Sequence, residues 1–351
     1  MLRFLSLLSV AILLSGCKAV VLSPSGDIAM QQRDLIYISV ALMLIVIVPV
    51  MILTVFFAWR YRASNARADY APDWNHSTLI ELVVWSVPLL IIIALGAITW
   101  VSTHKLDPYR PLDRIDAQRA VAAGQKPLVV QVVALDWKWL FMYPEYGIAT
   151  VNELAAPVDR PITFHLTSSS VMNSFFIPAL AGQVYTMAGM QTTLHAVINK
   201  AGTYKGFSSN YSGAGFSGMH FQFHGMDDAA FGKWVAGVRR GGQALNRASY
   251  LKLEAPSAYE PVHYYNDVAP DLYDAILNRC VEPNRMCMRN IMAIDKQGGL
   301  GLPGLVYMAT LDAATRADLG LGKLRDRVYV SAMCTARDPA FPSLKLMNAP
   351  Q

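Results

Sequence analysis

The chain has 351 residues, of which 54% are hydrophobic and 16% charged, and its mean hydropathy is +0.30. This composition is too apolar for an ordinary soluble protein and predicts membrane-spanning segments. The formal net charge is +5. The basic residues are not gathered into runs interleaved with aromatic side chains, so the sequence lacks the charge pattern of a nucleic-acid-binding protein and predicts no nucleic-acid partner.

Residues 1–16 have the features of an export signal. Arg3 supplies a positive start, and a short apolar stretch is followed by small residues before Cys17. The sequence Leu14-Ser15-Gly16-Cys17 is typical of a bacterial lipobox, in which the signal is cleaved before the cysteine and the cysteine receives a lipid. An ordinary signal peptide with a chance cysteine is the alternative. We expect lipidation, including palmitate, at Cys17, which would anchor the mature N-terminus to the outer leaflet.

Residues 17–101 contain two apolar runs, Leu35–Trp59 and Leu79–Val101, whose only charge is Glu81. At about 1.5 Å per residue, each run exceeds a hydrocarbon core of roughly 30 Å, so both are predicted to cross the membrane. A lipid on Cys17 would place the N-terminus outside, and two spans would return the chain outside. We therefore expect a protein of the bacterial inner membrane whose part from Ser102 onward is periplasmic.

The periplasmic part divides by composition into a polar linker, residues 102–126, a β-rich domain, residues 127–240, and an extension, residues 241–351. Leu128–Leu135 is almost continuously apolar and predicts a buried strand, whereas Ile162–Thr167 alternates and predicts a half-exposed one. Further strands are predicted by four short runs, and their spacing indicates an antiparallel sandwich or barrel: Ser174–Ile177, Thr192–Ile198, Gly202–Ser208 and Met219–Phe223.

Helical spacing replaces strand spacing at the end of this domain. Asp227 and Asp228 precede apolar residues that recur at helical intervals from Phe231 to Val238, which predicts a capped helix ending near Arg240. The extension after Gly241 is richer in proline, asparagine and charge, with one short predicted helix over Pro270–Arg279. We expect it to be peripheral to the β-domain.

Four cysteines are present, and lipidation of Cys17 would leave three thiols in an oxidising compartment. Their spacing matches no zinc or redox motif. We predict that Cys280 bonds either Cys287 or Cys334; the sequence does not choose between these partners.

Several local sequences together resemble subunit II of haem–copper respiratory oxidases, the cytochrome c oxidase subunit II superfamily. Thr78–Pro88 resembles the start of the family's second helix, Gly202–Gly206 the turn before its metal loop, and Phe231–Trp234 its closing helix. Asp136–Glu145 and Met172–Pro178 look more like the quinol-oxidase branch, the cytochrome bo-type ubiquinol oxidases. The resemblance runs from about Cys17 to Arg240. It implies a two-helix transmembrane hairpin followed by a cupredoxin-like β-sandwich.

In cytochrome c oxidases of this superfamily, the sandwich holds a dinuclear copper centre on cysteine, histidine, glutamate and methionine ligands. The matching positions here carry only one of those residues: Asn173, Ser208, Asn210, Ser212 and Phe216 replace ligands, and Met219 is retained. Hydroxyl, amide and phenyl groups do not bind copper tightly. We therefore predict that this subunit binds no metal or cofactor. The resemblance implies that haems, copper and quinol are held by subunit I, and that subunits I, III and IV are partners.

The spacing of the histidines does not predict a metal site. His220 and His224 are four residues apart on a predicted strand, where that separation spans roughly 13 Å. His165 and His195 fall on the polar positions of their strands and are predicted to be exposed.

Trp137 and Trp139 resemble the aromatic segment that faces the electron donor in cytochrome c oxidases. Without copper, we expect them to pack against subunit I or the sandwich core.

Glu81 is the residue with the strongest claim to a role in activity. A carboxylate inside an apolar span is costly and often marks a proton path, and the resemblance places a glutamate at the cytoplasmic mouth of a proton channel into subunit I. Thr78-x-x-Glu81 is also a capping-box pattern, in which Glu81 would satisfy the start of the helix. The two roles are compatible.

We therefore interpret the chain as subunit II of a proton-pumping ubiquinol oxidase, a non-haem subunit of an oxidoreductase in the aerobic respiratory chain. A cytochrome c oxidase subunit is disfavoured because the copper ligands are replaced. A free-standing periplasmic binding, structural or assembly lipoprotein with a relic cupredoxin domain is the alternative from another class. The preference for ubiquinol over menaquinol rests only on the sandwich motifs.

Overall fold

The computed structural model describes residues 19–65, 67–69, 71, 73–283 and 285–296. The predicted signal peptide with Cys17, and Cys334 in the extension, lie outside the described residues. The chain forms two compact units, Met1–Tyr273 and Asp274–Gln351, of which the first contains the membrane helices and the β-domain.

Two long helices begin the first unit, α1 (Asp27–Arg60) and α2 (Thr78–Lys105). They are 34 and 28 residues long, and by length and composition both can cross a membrane. Each extends beyond the apolar run that predicted it, because its polar flanking residues continue the helix. Pro49 and Pro88 are accommodated inside the helices.

Twelve strands are described in the first unit, among them the predicted runs and several that the sequence did not indicate. Their bounds are β1 Leu128–Leu135, β2 Lys138–Tyr143, β3 Ile148–Val151, β4 Glu153–Pro157, β5 Ile162–Ser168, β6 Asn173–Phe176, β7 Val184–Thr186, β8 Thr192–Ala196, β9 Gly202–Ser208, β10 His220–Met226, β11 Gln243–Leu245 and β12 His263–Val268. The helices of this region are α3 (Asp228–Gly241), α4 (Arg247–Glu254) and α5 (Leu272–Leu277), the last of which reaches into the second unit.

The strands form two sheets that pack as a sandwich. The larger sheet has the order β11-β12-β3-β2-β1-β5-β8 and the smaller one β4-β10-β9-β6-β7. The predicted sandwich is confirmed, but its expected antiparallel character is wrong in part, because β1 pairs with β5 and β4 with β10 in parallel. The chain leaves the larger sheet through β4 after the β2–β3 hairpin, so β5 returns beside β1 in the same direction.

Large apolar side chains from both sheets fill the space between them. Trp139, Phe164, Phe175 and Phe221 are almost fully buried. The Phe175 and Phe221 rings are stacked with centroids 5.4 Å apart, and Trp139 meets the Phe175 ring edge-on at 5.4 Å. Burial of these large rings contributes to the hydrophobic stabilisation of the domain.

The expectation of a half-exposed β5 is wrong, because the outer face of that strand is covered. Thr163 and Thr167 are buried, and only His165 is partly exposed. The Thr167 hydroxyl donates to the Met187 carbonyl at 3.2 Å. The alternating pattern correctly indicates a polar face on β5, but neighbouring parts of the chain cover this face.

Residues 243–268 are not peripheral to the β-domain, contrary to the expectation for the chain after Gly241. Strand β12 pairs antiparallel with β3, and β11 adds outside it, so the larger sheet continues through this segment. Asn246 caps α4 by a reciprocal hydrogen-bond pair with Ser249. Pairing of β12 satisfies the edge of β3, which would otherwise expose unpaired backbone groups.

The second unit is described only as far as its helix α6 (Met288–Lys296). It contains a disulfide between Cys280 and Cys287. This is the first of the two pairings that the sequence left open.

Candidate functional sites

The positions that match copper ligands in the resembling family lie together at one end of the sandwich. Asn173 begins β6 and Ser208 ends β9, and both are buried. The Ser208 hydroxyl lies 3.2 Å from the Asn173 side-chain oxygen, to which it can donate. Asn210 donates its amide to the Met172 carbonyl at 3.1 Å. These polar side chains therefore bond to each other and to the nearby backbone.

The remaining three positions continue the same loop. Met219 is completely buried in the core, and the Phe216 ring packs against that of Tyr211 with centroids 5.6 Å apart. The Ser212 hydroxyl is buried and has no hydrogen-bond partner in the described part of the chain. We call the six residues the relic loop cluster: Asn173, Ser208, Asn210, Ser212, Phe216 and Met219.

The relic loop cluster does not fit a dinuclear copper centre. It offers two hydroxyls, two amides, a phenyl ring and one thioether, without a thiolate or an imidazole among its six members. Copper in electron-transfer sites takes cysteine and histidine as its principal ligands, with methionine as a weak additional one. The six side chains therefore lack the thiolate and imidazole ligands that such a centre uses.

Trp137 covers the relic loop. Its indole nitrogen donates to the Ser212 carbonyl at 3.1 Å, and its ring lies over Gly213 and Gly215, where a Cβ on Gly215 would come within 2.3 Å of Trp137 Cδ2. Trp139 points into the core instead. Of the two tryptophans, Trp139 therefore packs in the sandwich core, and Trp137 braces the relic loop.

The four histidines considered as possible ligands, His165, His195, His220 and His224, lie on strands as the sequence predicted. No group of three potential metal ligands occurs among the described residues. His220 and His224 both belong to β10, and His224 contacts the Thr203 hydroxyl at 3.0 Å. The expected exposure of His165 and His195 is wrong, because both are half-buried. Burial lowers the pKa of each imidazole, and His165 lowers the pKa of His195 further.

Glu81 lies at the end of α2 farthest along the chain from the β-domain, in the helix's first turns. The predicted capping box is wrong: the N-cap is Ser77, not Thr78, and its side chain makes no capping bond. Glu81 Oε1 instead lies 2.7 Å from His76 Nδ1. In the isolated chain 53% of the Glu81 side chain is exposed. The Glu81 carboxylate is therefore not engaged in capping α2.

Two polar networks that the sequence did not indicate hold residues 243–268 against the rest of the sandwich. Glu153 accepts from Trp234 Nε1 at 2.6 Å and from the Tyr264 hydroxyl at 3.1 Å. Lys138, only 2% exposed, donates to the Ala255 carbonyl at 2.8 Å, and burial lowers the pKa of its amine. The sequence carries one signal for the second network: Lys138 stands at the start of the otherwise hydrophobic segment Lys138–Tyr143. A lysine amine buried with such a segment requires hydrogen-bond partners.

A two-helix membrane hairpin followed by a cupredoxin-like sandwich defines the class of membrane-anchored oxidase subunit II. Two family models match the chain: "Cytochrome C oxidase subunit II, periplasmic domain" over residues 147–225, and "COX Aromatic Rich Motif" over residues 239–284. The second match spans strands β11 and β12.

Curated relatives match most of the chain. The "Cytochrome bo(3) ubiquinol oxidase subunit 2" of Pseudomonas putida is 52% identical over 274 residues, which cover 78% of this chain and 84% of that protein. The "Ubiquinol oxidase subunit 2" of Acetobacter aceti is 47% identical over 292 residues, covering 83% and 90%. The crystal structure of the periplasmic domain of cytochrome oxidase subunit II from Bradyrhizobium japonicum is 21% identical, with a TM-score of 0.31, and covers 31% of this chain and 91% of that one.

The chain belongs to the subunit 2 family of haem–copper ubiquinol oxidases. The alternative of a free-standing periplasmic lipoprotein is not favoured, since the relatives are subunits of an oxidase complex.

Proposed function

We propose that this chain is the electron-inert subunit II of a proton-pumping oxidase that oxidises ubiquinol and reduces oxygen to water. The observation that carries the proposal is the relic loop cluster, whose side chains replace copper ligands with hydroxyl, amide and phenyl groups. Quinol would then deliver its electrons elsewhere in the complex. Subunit I would hold the haems, the copper and the quinol, and subunits III and IV would complete the assembly.

The β-domain would serve as a rigid structural part rather than as an electron relay. Support comes from the hydrogen bonds that close the cluster, such as Asn210 to the Met172 carbonyl, and from Trp137, whose ring occupies the space above Gly215. Most of the polar groups in this loop are thus bonded within the protein, and the loop would contribute to assembly by keeping its outer shape fixed.

Glu81 is proposed as a proton-entry residue at the cytoplasmic surface. The chain runs from Glu81 through α2 to Lys105 and then into the linker before β1, so the carboxylate would lie on the membrane side opposite the β-domain. A carboxylate in this position is costly unless it faces a partner subunit or a water-filled path. Its exposed side chain is available to such a partner.

The topology is proposed to be that of an inner-membrane lipoprotein with the β-domain in the periplasm. Ser25 and Gly26, just before α1, both donate backbone N–H groups to the Ala179 carbonyl, at 2.9 and 2.8 Å. These contacts support a topology in which the start of α1 would lie on the same side of the membrane as the sandwich, where a lipid on Cys17 would also be anchored.

The proposal is tested on the purified oxidase by measuring oxygen uptake with ubiquinol and, separately, with reduced cytochrome c. We expect uptake with ubiquinol and none above background with cytochrome c. Uptake driven by cytochrome c would contradict an electron-inert subunit II. Co-purification of haem-containing partners with this chain tests the assembly separately.

A further inference from the structure

A cavity of about 270 Å³ lies where the membrane hairpin joins the β-domain. Its walls are formed by the first turns of α1, the end of α2, the linker that follows, residues 182–184 and strand β8. The function proposed above uses none of these residues. Pockets for drug-sized ligands occupy about 300–1,000 Å³, so this cavity suits a smaller chemical group.

The position of the cavity along α2 would place it at the depth of lipid headgroups on the side of the β-domain. Lys105, the last residue of α2, follows the end of the apolar run at Val101 by four positions, which corresponds to about 6 Å of helix. The headgroup layer of each leaflet is roughly 5–8 Å thick, given a hydrocarbon core of about 30 Å in a bilayer of about 40–45 Å. Lys105 and the cavity wall that it forms would thus lie within this layer.

The charged side chains of the cavity fall into two groups. Asp27 pairs with Arg114, and Arg110 pairs with Asp113, so these four charges satisfy each other.

Lys105 and Asp107 remain, and the part of the chain that the structure describes offers neither of them an ion-pair partner. The Asp107 carboxylate accepts only the backbone N–H of Tyr109, at 2.9 Å. His195 also lines the cavity, and burial lowers the pKa of its ring. The cavity therefore presents one free positive and one free negative charge, two residues apart.

Apolar side chains complete the wall. Ile28, Leu106, Leu112 and Leu194 line the same cavity, and they offer contacts to the uncharged atoms that join a headgroup to its acyl chains. Below them, the outward faces of α1 and α2 are apolar along the membrane span. A ligand with two opposite charges and a hydrocarbon tail fits both parts.

We propose that this cavity binds the phosphoethanolamine headgroup of a zwitterionic phospholipid from the outer leaflet, with its phosphate at Lys105 and its ammonium at Asp107. An ammonium ion donates hydrogen bonds to a carboxylate, and a lysine binds phosphate as a point charge, so each contact is charge-assisted. The lipid would fill the junction between the hairpin and the sandwich. This site is independent of the electron route.

The test uses the complete oxidase in vesicles that contain phosphatidylethanolamine with a photoactivatable group near its glycerol. After irradiation, mass spectrometry should find the label on residues 106–114. Lys105→Glu should reduce that labelling about tenfold, the loss expected for one charge-assisted contact. Lys233→Glu changes an exposed lysine on α3 outside the cavity and should leave the labelling unchanged. Equal labelling of the Lys105→Glu and wild-type proteins would overturn the proposal.

Two further arms distinguish the ligand's chemistry and source. A matched phosphatidylglycerol probe, which has the phosphate but no ammonium, should label the segment much less, and Asp107→Asn should remove the difference between the two lipids. Equal labelling by both lipids in the wild-type protein would contradict the zwitterionic assignment. Free phosphoethanolamine at millimolar concentration should not compete with the lipid, and full competition would show that the ligand is a soluble compound.

Discussion

The buried carboxylate of Asp27 is held by two nitrogens of a single guanidinium, with Arg114 Nε at 2.9 Å and Arg114 Nη2 at 3.0 Å. Asp27 is the first residue of α1, and Arg114 lies in the linker that leads to the sandwich. Gly26, directly before it, lies so close to the sandwich that an added Cβ would come within 2.5 Å of the Leu180 carbonyl oxygen. The membrane hairpin is therefore fastened to the β-domain at the start of α1.

Replacement of Arg114 by alanine should loosen this attachment. The Asp27 side chain is 3% exposed, and Arg114 is 38% exposed. We expect a loss of about 2–3 kcal/mol in the free energy of unfolding, below the roughly 3–5 kcal/mol of a fully buried pair because water partly screens the guanidinium. Denaturant unfolding of the purified protein in detergent, followed by tryptophan fluorescence, measures the change.

Arg110→Ala is the matched control for that loss. Arg110 pairs with Asp113, and both side chains are exposed, at 46% and 68%. Its removal should cost less than about 1 kcal/mol. Equal losses in the two variants would show that burial of Asp27 does not increase the contribution of its ion pair to the free energy of unfolding.

Glu81→Gln should slow the oxidase without unfolding it. The amide keeps the size of the side chain but cannot exchange a proton, so we expect ubiquinol-driven oxygen uptake to fall about a hundredfold, the lower end of the range typical of lost acid–base groups. Haem content and co-purifying subunits should stay as in the wild type. Glu81→Asp, which keeps an acid, should retain most of the rate.

His76→Gln separates proton entry from a local structural role. It removes the imidazole that lies 2.7 Å from Glu81 Oε1 but leaves the acid in place. If Glu81 acts only through its contact with His76, the His76→Gln variant should lose as much activity as Glu81→Gln. Proton entry predicts a much smaller loss.

Gly215→Ala should destabilise the sandwich by displacing Trp137. The added Cβ would lie 2.3 Å from Trp137 Cδ2 and cannot fit without movement of the ring. We expect a cost of about 1–3 kcal/mol, as for other overpacked sites. Gly232→Ala is the control, because nothing lies within 4 Å of its added Cβ and alanine is favoured inside a helix by about 0.5–1 kcal/mol. Thermal unfolding should lower Tm for the first variant and raise it slightly for the second.

Local patterns predicted the parts of the fold that depend on local residues. Strands β1 and β9 have the predicted bounds, and Asp227 caps α3 by accepting the Ala230 N–H at 2.7 Å. The pairing of β12 with β3 joins residues more than a hundred positions apart, and nothing in the composition of either segment indicates that partner. The same holds for Asp27 and Arg114, whose contact depends on the assembled fold.

The relic loop cluster was predicted by position, and the structure adds how its members are arranged. The sequence identified Asn173 and Ser208 as replaced ligands, and the fold brings them to 3.2 Å. What the sequence did not indicate is Trp137 above the loop, because its ring is placed by the turn between β1 and β2, where its φ is 68°. For Glu81, the capping-box prediction failed because the helix begins at Thr78, with Ser77 as N-cap, and a motif alone does not fix that boundary.

The most direct test of an electron-inert subunit II is copper binding by the β-domain. We would titrate copper into the full-length purified chain and record the metal content and the visible and near-infrared spectrum. The donor set of Asn173, Ser208, Asn210, Ser212, Phe216 and Met219 predicts no stoichiometric tight copper and no purple two-copper absorption. Two coppers bound per chain with that spectrum would contradict the account.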